Sequence, residues 1–180
     1  SSLDNAYFVA YEHLNTMDRD RVYGNLSVTG HIIPDCLSLA LRAGVDFQND
    51  FRTQQKPQYS HAYLSGMYRE QTVRNLEFNT DFLLSFHKTI KDFYLSASFG
   101  GNAMMQNSSN VSLLASQLVE PNVFILQNVN GQIEVTSRRY RKAINSLYGF
   151  ISASWRDMIF LDITGRNDWS STLAPGNNSY

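Results

Sequence analysis

The chain has 180 residues, a formal net charge of -1, 43% hydrophobic residues and one cysteine. The near-neutral charge, with no basic stripe and no phosphate-cradling glycine loop, argues against nucleic-acid binding. Cys36 alone excludes an internal disulfide framework and a cysteine-rich zinc site.

The chain then resolves into six segments with period-two alternation. In the first, over 22–32, Val22, Gly24, Leu26, Val28, Gly30 and Ile32 alternate with Tyr23, Asn25, Ser27, Thr29 and His31. Successive strand residues point to opposite faces, so one face is apolar and the other polar. After Pro34, Asp35 and Cys36, the segment over 37–48 sets Leu37, Leu39, Leu41, Ala43, Val45 and Phe47 against Ser38, Arg42, Asp46 and Gln48. The third, over 75–87, sets Leu76, Phe78, Phe82, Leu84 and Phe86 against Asn75, Glu77, Asn79, Asp81 and Ser85, with Leu83 as its misfit.

A turn over 88–92 leads to the fourth, over 93–103, where Phe93, Leu95, Ala97, Phe99 and Gly101 alternate with Tyr94, Ser96, Ser98, Gly100 and Asn102. The fifth, over 145–155, alternates Leu147, Gly149, Ile151, Ala153 and Trp155 with Ser146, Tyr148, Ser152 and Ser154; Phe150 breaks the pattern. Across Arg156 and Asp157, the sixth, over 159–166, alternates Ile159, Leu161 and Ile163 with Phe160, Asp162, Thr164 and Arg166. The intervening stretches 1–20, 49–73, 104–141 and 167–180 read as long loops.

An alternating strand fits a soluble sheet as well as a membrane barrel. Three features favour the barrel. The segments reach the roughly nine to eleven residues a tilted strand needs to cross hydrocarbon, against about five to six for soluble strands. Lys56, Lys88, Lys91 and Lys142 fall in connections or at a strand margin. Short and long connections alternate, as short periplasmic turns and long outer loops do. The expected fold is therefore all-β, an antiparallel transmembrane β-barrel segment. A barrel in lipid cannot leave edges, and six strands are fewer than the roughly eight of the smallest bacterial barrels, so a fragment of a larger barrel is expected.

Residues 145–172, NSLYGFISASWRDMIFLDITGRNDWSST, resemble the central barrel region of the SusC-like (SusC/RagA) TonB-linked outer-membrane transporters. At their end GRNDWSSTL, running on to Leu173 and holding Arg166, Asp168, Ser170 and Ser171, is similar to that family's Arg, Asp, Ser-Ser stretch at the top of a strand. DRVYGNL from Asp20, the stretch 78–86, SASFGGN from Ser96 and QLVEPNVF from Gln117 resemble further pieces in the same order. Cys36 stands where relatives commonly carry tryptophan, and Gly30 where a bulkier residue is expected.

The resemblance implies a barrel of about 22 strands closed by an N-terminal plug. It implies a bacterial outer-membrane importer of glycan or peptide, with a SusD-like surface lipoprotein and TonB as partners besides the rest of its own barrel, its plug and outer-membrane lipid. The plug and the TonB-contacting segment are not within the chain. A passive pore or adhesin barrel is the alternative, and a soluble β-sandwich binding module the next.

Candidate chemistry is sparse, and no catalytic centre or cofactor site is expected. Asp46, Gln48 and Asp50 suggest an oxygen-ligand cation site but lack the closing acid and glycine turn of a calcium loop. His13, His31, His61 and His87 form no metal-spaced pair, and Ser170 and Ser171 have no nucleophile elbow. Asn107, Asn110 and Asn177 begin N-x-S sequons that read as polar loop. Arg42, Asp46, Glu77, Asp81, Asp162 and Arg166 are the lumen-face charges, either binding plug or substrate or forming a cross-strand charge ladder. Tyr59, Tyr63, Tyr68 and Trp169, in or near outer loops, could stack on sugar rings or serve as an interfacial girdle.

Overall fold

The computed structural model describes residues 5–173. A short helix, α1 (Ala6–Glu12), is followed by β1 (Thr16–Ile33), β2 (Leu37–Lys56), β3 (Met67–Ile90), β4 (Phe93–Ala115), β5 (Glu134–Trp155) and β6 (Ile159–Ser170). The strands form one antiparallel sheet in chain order. A sandwich needs two sheets packed face to face. One sheet of neighbouring strands contradicts that alternative.

All six expected strands are present, but they run further than the hydrophobic pattern does. Residues 16–21, 49–56, 67–74, 104–115, 134–144 and 167–170 are strand, where the pattern reads mostly loop. The reason is solvent: alternation of apolar with polar is required only where one face is dry, and a strand wet on both faces still pairs its backbone. The sequon positions Asn107 and Asn110 likewise lie in β4; Asn177 lies outside the described residues. Helix α1 replaces part of the expected first loop, its start capped by the Asn5 side chain accepting from the Tyr7 N–H at 2.9 Å.

Two compact units divide the strands along their length. The first comprises Ser1–Val22, Phe47–Asn75 and Ser108–Tyr140. It contains the two long connections, and it is the one with a core: Met67, Ala115 and Leu118 are buried, together with Asp50, Ser60 and Asn128. The Asn128 amide closes its loop by accepting from the Glu120 N–H at 2.9 Å and donating to the Glu120 and Val123 carbonyls at 2.8 and 2.7 Å. Gly66, at φ +78°, packs so closely on the Lys56 carbonyl and Leu118 that a Cβ would stand 3.1 Å and 3.2 Å away. The long connections are therefore packed structures with satisfied polar groups.

The second unit comprises Tyr23–Asp46, Leu76–Asn107 and Arg141–Tyr180. Its connections are tight. In the β5–β6 turn Arg156 and Asp157 both take positive φ, 50° and 54°, and the Met158 N–H bonds the Trp155 carbonyl at 3.1 Å, the type I′ arrangement that suits twisted strands. Arg156 also reaches the β3–β4 turn, its Nε on Asp92 at 3.0 Å and its N–H on the Asp92 carbonyl at 2.8 Å.

No hydrophobic residue described in this second unit is buried. Leu41, Phe78, Phe99, Ile151, Leu161 and Ile163, all on the apolar side of the alternation, are exposed, while Glu77, Asn79 and Asp81 on the polar side are only partly so. The dry face is thus the uncovered one. Contiguous apolar area of this kind marks a surface that meets something other than water.

Candidate functional site

On the polar face of the second unit, the candidate charges are held by neighbours on the same strand or the next. Arg42 on β2 donates to Asp81 on β3, Nε and Nη2 each 2.7 Å from Oδ2. Glu77 accepts from the Asn79 amide at 3.1 Å. Asp162 on β6 accepts from the Ser152 hydroxyl at 2.5 Å, across a directly opposed β5–β6 pair. Arg166 lies on Asp168, Nε 2.9 Å from both carboxylate oxygens, with Nη2 3.3 Å from the Ser146 hydroxyl and the guanidinium 5.9 Å from the Tyr148 ring centroid. Asp46 and Glu77 line a shallow cleft of about 230 Å³ with Tyr23, Asn25, Gly44 and Asn79. Of the six lumen candidates, the structure joins Arg42 to Asp81 and gathers Asp46 with Glu77; Asp162 and Arg166 pair instead with Ser152 and Asp168.

The strongest polar cluster lies in the first unit. Asp50 has no exposed surface, and its carboxylate accepts from Arg19 Nε at 2.8 Å, Arg19 Nη2 at 3.0 Å, Arg52 Nη2 at 2.7 Å and the Gln48 amide at 3.0 Å. Its cover is these partners themselves, since Arg19 and Arg52 remain 45% and 38% exposed along their side chains. The hydrogen bonds from Arg19 and then Arg52 hold the Asp50 carboxyl well below the usual carboxylate range. Guanidinium donors thus occupy both oxygens of Asp50, one of the three residues weighed above for a cation site. Among the described residues, no group of three His, Cys, Asp or Glu side chains is placed to hold a metal.

The cluster was half visible in the sequence. Gln48, Asp50 and Arg52 share a face by alternation, but Arg19 is 31 residues from Asp50 and meets it only through the β1–β2 register. Nearby, Arg69 Nη1 donates to the Gln54 amide oxygen at 3.1 Å.

The aromatic candidates separate. Tyr59 is 82% exposed, at φ +69°, on a tight loop where its N–H bonds the Leu64 carbonyl at 2.9 Å. Tyr63 lies beneath Lys56, whose Nζ is 5.2 Å from the ring centroid. Tyr68 is partly buried, and burial, then Glu70, raises its phenol pKa. Trp169 stands on the other face, opposite Asn145, lining a cleft with Leu41, Phe82, Gly101 and Leu147.

No protein-family model and no curated protein matches the sequence. Solved structures do match. The chain superposes on the RagAB peptide transporter with a TM-score of 0.79 at 18% identity, covering 97% of this chain and 20% of that one. The RagAB peptide importer in its open-open state gives a TM-score of 0.78, again at 18% identity, over 97% of this chain and 20% of that one. The fold is that of these transporters' barrel wall. A lesser likeness, TM-score 0.55 at 12% identity, joins 92% of this chain to 28% of the siderophore receptor PiuA from Acinetobacter baumannii. The chain spans about a fifth of the RagAB transporter chain it matches.

Proposed function

We propose that this chain forms part of the wall of a TonB-dependent nutrient importer in the bacterial outer membrane, with a SusD-like surface lipoprotein as partner. The observation that carries the reading is the uncovered apolar face of the second unit, on a sheet that follows a transporter barrel over 97% of this chain. In this reading Leu41, Phe78, Ile151 and Leu161 meet lipid, and Arg42, Asp46, Glu77, Asp81, Asp162 and Arg166 line a wet interior. The short cross-strand bonds of Arg42, Asp81 and Asp162 favour a wall-holding role for these three, with the Asp46 and Glu77 cleft left open to plug or solute. Trp169, among apolar neighbours at the end of β6, serves as an interfacial anchor, whereas Tyr59 and Tyr63 are placed to touch solute.

Peptide is the leading substrate class, because the chain follows a peptide transporter over 97% of its length; oligosaccharide is the second. The test is uptake of labelled oligopeptide by cells expressing the full-length protein, with TonB intact or disabled. Uptake that stops without TonB supports the reading. Uptake that continues unchanged identifies a passive pore.

A further inference from the structure

One face of the first unit gathers cations around a single carboxylate. On the polar positions of β1, β2 and β3 stand Arg19, Arg52, Lys56 and Arg69, with Asp50 between the first two; Asp18, Asp20 and Glu70 have the opposite parity. Cross-strand bonds Arg42 to Asp81, Arg74 to Asn49 and Arg69 to Gln54 share one register, so Arg52 and Arg69 are diagonal neighbours on the same face. Each guanidinium carries five N–H donors. Asp50 spends its oxygens on Arg19, Arg52 and Gln48, and Arg69 meets only the neutral Gln54 oxygen among its hydrogen bonds here.

Two atoms make the deficit specific. Nε of Arg52 and Nε of Arg69 are both shielded from solvent with no hydrogen-bond partner. A shielded, charged donor without an acceptor is costly and rare in folded proteins, so both arginines are left short of acceptors, and it is the exposed remainder of each side chain that is open to a solute. Asp50 meanwhile fixes the Arg19 and Arg52 side chains, so their charge is pre-organised. Lys56, held over Tyr63, adds a further cation with an aromatic edge.

We propose that Arg52 and Arg69, with Arg19 and Lys56 beside them, form an anion-recognition site for carboxylate groups of the transported solute. The planar guanidinium fork matches a carboxylate in two-point contact. The inference rests on the importer reading above and narrows its substrate to acidic oligomers. Two sources share this chemistry, an acidic peptide and a uronic-acid oligosaccharide.

The test measures binding to the purified full-length protein by fluorescence anisotropy, using labelled acidic and neutral peptides of equal length, and oligogalacturonate beside its neutral galactose counterpart. The acidic member of one pair binds more tightly, the preference fades with added salt, and Arg69→Gln weakens its binding about tenfold while shrinking the acidic-to-neutral ratio. Which pair shows the preference assigns the source. Arg69→Lys, which keeps the charge but not the fork, restores part of the ratio. Equal binding of acidic and neutral probes by the wild-type protein overturns the proposal, and needs no variant to fold. An unchanged ratio in Arg69→Gln overturns it too. TonB-dependent uptake of neutral peptide alongside either result would leave the importer reading standing.

Discussion

Tyr148 lies across Gly100 so closely that a Cβ on Gly100 would stand 2.6 Å from two of its ring carbons. The missing side chain on β4 leaves room for the β5 ring to lie over it, while Arg166 on β6 approaches the same ring, its guanidinium 5.9 Å from the centroid. A line of contacts thus runs from Gly100 through Tyr148 and Arg166 to Asp168. It links three strands through one glycine.

Gly100→Ala should therefore displace the Tyr148 ring. Because the clash is with the far end of a rotatable side chain, the expected cost is about 1 to 2 kcal/mol. Adding Tyr148→Ala should remove most of that cost, a coupling a double-mutant cycle in denaturant reads directly. Gly149→Ala, whose Cβ would meet the Ser98 carbonyl at 3.4 Å, is the milder comparison. Equal, additive effects would refute the ring-over-glycine contact as an organising feature.

Arg42→Ala should leave stability nearly unchanged, because the side chain is 51% exposed and water can replace its bond to Asp81. A much larger loss in thermal or denaturant unfolding would mean that the pair is sealed from solvent in the assembled barrel.

These contacts also mark the reach of the sequence. Apolar alternation located β1 to β6 and their tight turns because lipid or core must select one face at every second residue. Beyond positions such as Phe47 and Asn75 both faces are polar, so the same test is blind there and the strand ends were missed. Arg42 and Asp81 could be placed on one face by parity, but Arg19 with Asp50, and Tyr148 over Gly100, depend on register between strands, which local pattern does not encode.

Acid should loosen the first unit by a specific route. The folded-state pKa of Asp50 lies below its unfolded value of about 4, so its stabilisation is complete above that value and is lost as pH falls through the folded pKa. Asp50→Asn should lower the unfolding midpoint at neutral pH, and the gap from wild type should narrow as pH drops below about 4. A gap that stays constant into strong acid would remove the charge from the explanation.

Orientation predicts an asymmetry between two positions on opposite faces of β2. Leu41→Arg should cost about 2 to 4 kcal/mol in the full-length protein in lipid, if it lies near mid-bilayer, whereas Ser38→Arg on the opposite face should cost much less. Folding titrations in bilayer vesicles measure both; equal costs would undo the face assignment.

The most direct test places single nitroxide labels at Leu41, Arg42, Val45, Asp46, Glu77 and Phe78 of the full-length protein in bilayers, with Cys36 and any other cysteine replaced. Collision with dissolved oxygen and with a water-soluble nickel chelate is then read at each position. The account predicts that labels at Leu41, Val45 and Phe78 collide mainly with oxygen and those at Arg42, Asp46 and Glu77 mainly with the chelate. The inverse pattern, or six positions that behave alike, would contradict a wall with its apolar face in lipid.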